Sequence, residues 1–196
     1  MEGSGSLTIS SLEIAGLMQS IREVKVGHMV RTLLKIDPCA SILVVGVGTS
    51  SVVAQNIVHA LRCQQYRVHM LSPGDALHSA NGVIQKGDLM IVASNGGMSE
   101  TVNKSAAIAK ERGAVIYAVT SQGDSTLAEI ADHLLLVEVN RESDCSGILA
   151  TASILCVIAL FDAIIGILEE KRHFTIEDFS HIHPSGKVGK DILVDR

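Results

Sequence analysis

Aromatic side chains are scarce in this 196-residue sequence: three Phe, two Tyr and no Trp, 3% in all. The core must be built from Val, Ile, Leu and Ala, and the aromatic platforms on which proteins stack single-stranded nucleic acid are missing. Basic residues are outnumbered, with 16 Lys and Arg against 21 Asp and Glu, for a net charge of -5. A nucleic-acid footprint is therefore absent; the Lys-richer stretches at 104–112 and 187–190 are too small to make one. The four cysteines, Cys39, Cys63, Cys145 and Cys156, show neither CxxC nor metal-ligand spacing. Reduced thiols, a cytoplasmic location and no metal are the expectation. The N-terminus has Glu2 and a Gly-Ser stretch instead of a basic segment leading into an apolar run. No signal peptide is expected, and residues 3–5 are expected to be partly disordered.

What is present is apolar: 47% hydrophobic residues against 19% charged. That is the composition of a globular chain, and the length suits one domain that buries roughly 70% of its unfolded surface. One stretch, 148–168, is almost wholly apolar, but Asp162 sits near its middle and Thr151 and Ser153 open it. A charge at the centre of a span is costly, so this segment is expected to be a buried helix, against a sheet on one side and a partner subunit on the other.

Apolar positions at helical spacing (Ile14, Leu17, Met18, Ile21, Val24) predict one N-terminal helix over 11–36, ended by Asp37-Pro38. Short apolar runs then alternate with helical periodicity. Strands are predicted at 41–45, 67–71, 88–93, 114–119 and 133–139, with helices at 51–66, 99–112, 125–131 and 149–171. The strands end in Gly, Ser, Thr or Asn. Continuous apolar strands between helices indicate a three-layer α/β/α sandwich on a five-stranded parallel sheet, flavodoxin-like in order. Residues 1–196 read as one domain: N-terminal helix to 36, α/β core over 37–172, tail over 173–196.

In such sheets ligands bind beyond the carboxyl ends of the strands. Two loops fall there. Gly46-Val47-Gly48-Thr49-Ser50-Ser51 follows the first strand and opens a helix, whose free N–H groups and positive dipole end suit an anion; a plain turn with Ser as N-cap reads the same way. Ser94-Asn95-Gly96-Gly97-Met98-Ser99 repeats the arrangement after the third strand, and there too Ser99 could serve only as a cap. Two familiar phosphate motifs fail. There is no G-x-x-x-x-G-K-[ST], and the first loop lacks the third Gly and the second strand the terminal acid of a dinucleotide site.

These two loops resemble those of the sugar isomerase (SIS) domain. The segment 179–190, Phe-Ser-His-Ile-His-Pro-Ser-Gly-Lys-Val-Gly-Lys, is similar to the His-Pro-Gly-Gly-x-Leu-Gly signature of the arabinose-5-phosphate isomerase branch. Residues 174–179, and 137–142 followed by Gly147 and Thr151, fit the same branch, and the resemblance runs over about residues 10–194. It implies a cofactor-independent aldose–ketose isomerase of a sugar phosphate, assembled as a homodimer or homotetramer with shared active sites. Members often carry C-terminal CBS modules; none is expected here. The alternative within the family is a non-catalytic, regulatory sugar-phosphate-binding protein.

The resemblance implies Glu142 as general base, apt if partial burial raises its pKa toward neutrality. His183 would open the ring or shuttle a proton, often in a neighbouring subunit's site, and His78 would lie at the substrate. Gly48, Thr49, Ser50, Ser94, Asn95, Gly97, Ser99 and Thr101 would hold the phosphate and sugar. The sequence departs from the family pattern where Thr49 replaces a Lys, Gly96 a Ser, Met98 a Glu and Thr101 a Glu. Glu100 stands one position early, about 100° around a helix from the family's carboxylate.

Overall fold

The structure, a computed structural model, describes residues 4–20 and 23–185. Residues 186–190 of the tail motif lie outside the described residues, as does Gly3. Two helices come first, α1 (Ser4–Ser20) and α2 (Glu23–Lys35). Both fall within or before the helix predicted over 11–36, residues 21–22 between them lying outside the described residues, and Ser4 and Gly5 are helical instead of disordered. The reason is tertiary: α1 lies along the last long helix, a contact that local sequence does not encode. As expected, α2 stops before Asp37-Pro38, where Asp37 Oδ1 accepts the Cys39 N–H at 2.7 Å.

The alternating region then runs β1 (Ile42–Val45), α3 (Thr49–Cys63), β2 (Val68–Met70), α4 (Pro73–Ala76), a 3-10 turn (Ala80–Val83), β3 (Leu89–Ala93), α5 (Glu100–Glu111), β4 (Val115–Thr120), α6 (Thr126–Ile130), β5 (His133–Leu136), α7 (Ala152–Arg172) and α8 (Ile176–Ile182). The sheet has the order β2-β1-β3-β4-β5, and every pair is parallel. This is the expected α/β/α arrangement. The fifth strand is shorter than predicted, and α4, the 3-10 turn and α8 were not predicted.

The sheet is apolar on both faces because each face carries a helical layer. Ile42, Val44, Leu89 and Ile91 pack toward α2, α3 and α7. Their neighbours Leu43, Val45, Met90 and Val92 pack toward α5 and α6. Gly113, with φ +91°, ends α5 as predicted, since only a residue without Cβ adopts that conformation freely. Asp88 joins strand starts: its two carboxylate oxygens accept the Ser41 and Gln85 N–H groups, both at 2.8 Å.

By length and composition α7 could cross a membrane. In the structure Cys156, Leu160, Phe161, Ile164 and Leu168 bury one side of it against the sheet and its neighbours, while Leu155 and Asp162 stay exposed. Phe161 is among the largest fully buried side chains. Phe161→Ala should lower unfolding free energy by about 3–5 kcal/mol in urea titrations. A loss under about 1 kcal/mol would mean that α7 is not docked in the core.

Candidate active site

Because all strands run parallel, every strand-to-helix turn falls on one edge of the sheet. Strand order reverses between β1 and β3, so the crevice for a ligand opens at those two strands. They pair directly, with Val45 opposite Val92. The two glycine-rich loops therefore start about 5 Å apart.

In the first loop, a Cβ on Gly46 would lie 2.4 Å from the Ser50 carbonyl, so any side chain would strike the first turn of α3. Gly48 is the N-cap at φ +57°, and its carbonyl accepts both the N–H (3.0 Å) and the hydroxyl (2.6 Å) of Ser51. A serine cap was one reading of this loop; the cap is instead Gly48, and Ser51 folds back onto it. Thr49 is exposed, and Ser50 is half-buried and lines a narrow cavity of about 30 Å³.

The second loop is tied to the end of β4. The Asn95 carbonyl accepts three bonds, from Thr120 Oγ1 (2.9 Å), Ser121 N (3.0 Å) and Ser121 Oγ (3.0 Å). Gly97 is buried at φ +63°, and a Cβ there would fall 2.1 Å from Ser125 Oγ. Its carbonyl accepts Asn103 Nδ2 and Leu127 N, both at 3.0 Å. Gly97 thus fixes the loop's shape. Ser99 is the N-cap of α5 by position, but its hydroxyl makes no cap bond. Ser94 is buried and lines the same narrow cavity as Ser50. Thr101 is exposed in the first turn of α5, and Glu100 is paired with Lys104 at 2.5 Å, so its carboxylate is directed along α5.

Beside this crevice, and sharing Asn95 with it, a cleft of about 420 Å³ opens at the ends of β4 and β5. Ser121, Gln122, Arg141 and Glu142 line it. Three donors converge on Glu142 Oε2: Thr151 N (2.8 Å), Thr151 Oγ1 (3.1 Å) and Ser153 N (3.1 Å). The carboxylate thereby occupies the N-terminus of α7. Burial pushes its pKa up, but the hydrogen bonds from Ser153 and Thr151 outweigh burial and hold the carboxyl below the usual carboxylate range. The upward shift that would bring it toward neutrality is thus not met. Nearby, Asp144 accepts Ser146 N, Ile148 N and Leu149 N at 3.1–3.2 Å and shapes the turn that leads into α7.

The N-terminal helix reaches this loop. Glu13 Oε2 accepts Asn140 N at 2.9 Å and Asn140 Nδ2 at 3.3 Å, and Ser10 is hydrogen-bonded to Ser143. Nothing in the sequence signals a bond across 127 positions, so Glu13 escaped the sequence reading.

The histidines stand apart. His78 is exposed just after α4, beyond β2; β2 and β5 are separated by four strand spacings, about 19 Å. His183 is further removed. From its N-terminus at Glu142, α7 runs 21 residues, about 30 Å, to the opposite edge. There Arg172 is hydrogen-bonded to the Gln64 carbonyl, and Gln65 Nε2 reaches the Asp178 carbonyl at 3.2 Å. Helix α8 follows, begun by a capping box between Thr175 and Asp178, and His183 ends it, exposed and stacked on Phe179 with ring centroids 5.1 Å apart. The chain thus gathers the two loops and Glu142, and leaves both histidines outside that cleft.

The SIS domain model matches residues 35–165. The arabinose 5-phosphate isomerase KpsF of Escherichia coli O6:H1 is 29% identical over 180 residues, covering 91% of this chain and 55% of that protein. The chain spans about half the length of the curated relatives it matches. Among solved structures, a candidate sugar-phosphate isomerase of Listeria monocytogenes superposes with a TM-score of 0.86 at 34% identity, over 92% of this chain and 93% of that one. A protein of E. coli CFT073, solved in complex with arabinose 5-phosphate, gives 0.85 at 21% identity, over 92% and 94% of the two chains, a likeness of fold.

Two outcomes follow from the geometry. Glu142→Gln should destabilise the ligand-free protein by about 1–2 kcal/mol, because a charged cap acceptor is lost. The depressed carboxyl contributes stability that is complete above the unfolded Glu pKa and disappears as pH falls through the lower folded value. The difference in melting temperature between wild type and variant should be flat from about pH 6 to 8 and shrink below about pH 4.5; a constant difference down to about pH 3 would contradict the capping role. Gly97→Ala should distort the second loop through its contact with Ser125. A crystal structure of that variant with the loop unmoved would refute this.

Proposed function

The chain belongs to the SIS-domain family, and from that premise we propose that it is a phosphosugar-binding protein and a cofactor-independent aldose–ketose isomerase, similar in activity to arabinose-5-phosphate isomerases. The observation that carries the reading is the ionised Glu142 carboxylate, held at a cleft that shares Asn95 with two amide-rich loops. In this reading the phosphate rests on the loops at 46–51 and 94–99, where Ser50, Ser94 and Ser99 offer hydroxyls and the N-termini of α3 and α5 face the anion. The reacting carbons enter the cleft. Glu142, already ionised, takes the proton from C2, and an enediolate forms with no metal or organic cofactor required. Gly48 and Gly97 shape the loops, and Thr49 and Thr101 stand at their mouth.

His183 and His78 complete the site from a neighbouring subunit in a homodimer or homotetramer. Support comes from their distance from Glu142 within one chain and from the apolar α7, which leaves Leu155 exposed. A second reading, sugar-phosphate binding without turnover, is favoured by the neutral Thr49 and Thr101 and by the engagement of Glu142 as a helix cap.

Thermal-shift screening against pentose and hexose phosphates, followed by isomerase assays of the hits, tests both. Turnover of at least one, lost in Glu142→Gln, is expected. Shifts without product would favour the second reading, and neither would sink both. Mixing unfolded Glu142→Gln and His183→Ala chains and refolding them together should restore part of the activity if sites are shared; no recovery in mixed oligomers would rule out sharing.

A further inference from the structure

Resting on that isomerase reading, we propose that Arg141 is a catalytic residue, the cation that stabilises the oxyanion of the enediolate. Arg141 is the sole Lys or Arg among the described residues lining the strand-end crevice and cleft. It forms no ion pair with another described residue, whereas Glu100 and Asp132 are both paired. Arg141 is exposed and lines the cleft, together with Glu138 and Glu142.

The backbone beneath it is fixed from both sides. Asn140 is anchored to Glu13 of α1 through its N–H and its side-chain amide. Glu142 is anchored to the start of α7, and Ser143 N donates to Thr151 Oγ1 at 2.7 Å. A cation on a pre-positioned backbone stabilises developing charge with little reorganisation. Arg141 also neighbours the candidate base in sequence and in the cleft, which places it at the reacting carbons; the phosphate lies at the loops of β1 and β3.

The step balances without a co-reactant. Glu142 takes the C2 proton. The C2–H electron pair forms the C1=C2 bond, and the carbonyl π pair moves onto O1, where the Arg141 N–H donors meet the negative charge. The proton on Glu142 then returns to C1 as the O2 hydroxyl proton transfers to O1 and the C2=O2 bond forms, giving the ketose. Glu142 and Arg141 end as they began.

The test compares 5-phosphoarabinonate, which carries a carboxylate at C1, with arabinitol 5-phosphate, which carries a hydroxyl there. Wild type should bind the aldonate about tenfold or more tighter by calorimetry, as a charge-assisted hydrogen bond predicts. Arg141→Gln should cut that preference to within about threefold while leaving the alditol Kd and the melting temperature unchanged, and Arg141→Lys should keep part of it. On a turned-over substrate, Arg141→Gln should lower kcat about 10²–10³-fold with KM little changed. An unchanged preference in Arg141→Gln overturns the proposal and leaves the phosphosugar reading intact. Equal weakening of both ligands overturns it too, by making Arg141 a phosphate contact. If wild type binds neither ligand nor any sugar phosphate in the screen, the functional reading falls and the proposal with it.

Discussion

Everything at the functional edge depends on the strands being parallel. A parallel sheet must return each strand through a crossover, so α3, α5 and α7 all begin on the same side. Each helix start exposes unpaired N–H groups and a partial positive charge, worth about 0.3–1 kcal/mol to a nearby anion. Three such ends crowd the edge where strand order reverses. The α7 end is filled by the protein's own carboxylate, Glu142. The α3 and α5 ends are topped by Gly48 and by a Ser99 whose hydroxyl makes no cap bond. An external anion therefore meets two open helix ends and one occupied one. Under the proposed function, that asymmetry would orient a sugar phosphate with its phosphate over β1 and β3 and its carbons toward β4 and β5.

Much of this frame was legible because the strands are buried on both faces. A run such as Ile42–Val45 is continuously apolar, since alternate residues feed two separate cores. Periodicity does not reveal which residue faces which layer, but the run and its polar end are plain. The crossover after β2 was not legible: its four-residue helix and 3-10 turn are too short to carry a period. The fifth strand was overextended because Val137 is buried beyond the last ladder pair and so reads like strand. At the site, the glycines were visible but their reasons were not. Gly97 is required by Ser125, which lies 28 positions on. Glu142 was inferred by resemblance, and the hydrogen bonds that lower its pKa were not legible, because its donors Thr151 and Ser153 meet it only after the chain turns through Asp144 and Gly147.

The N-terminal helix illustrates the same limit from the other direction. Helical spacing in the sequence marks only the second half of α1, at Ile14, Leu17 and Met18, and says nothing of its partner, yet Glu13 and Ser10 hold the loop at Asn140 and Ser143. Through them the first helix of the chain supports the loop that carries Arg141 and Glu142. It is part of the scaffold of the candidate site.

The electrostatics of the cleft then impose a requirement of their own. A carboxylate with a depressed pKa is reliably ionised at neutral pH, but it is also a weaker base, by about 1.4 kcal/mol for each unit of depression. Removing a proton from carbon with a weakened base demands that the charge left behind be stabilised by something else. Hydrogen bonds that hold Glu142 ionised at the start of α7 thus raise the need for a donor at the developing oxyanion. In one chain, among the described residues of the lining, Arg141 is the only full positive charge for that task. The proposed base and cation are consecutive residues on one braced loop, so a change that moves the loop moves both together. Their mutual placement then survives small shifts of the sheet edge, as the proposed proton transfer between adjacent carbons would require.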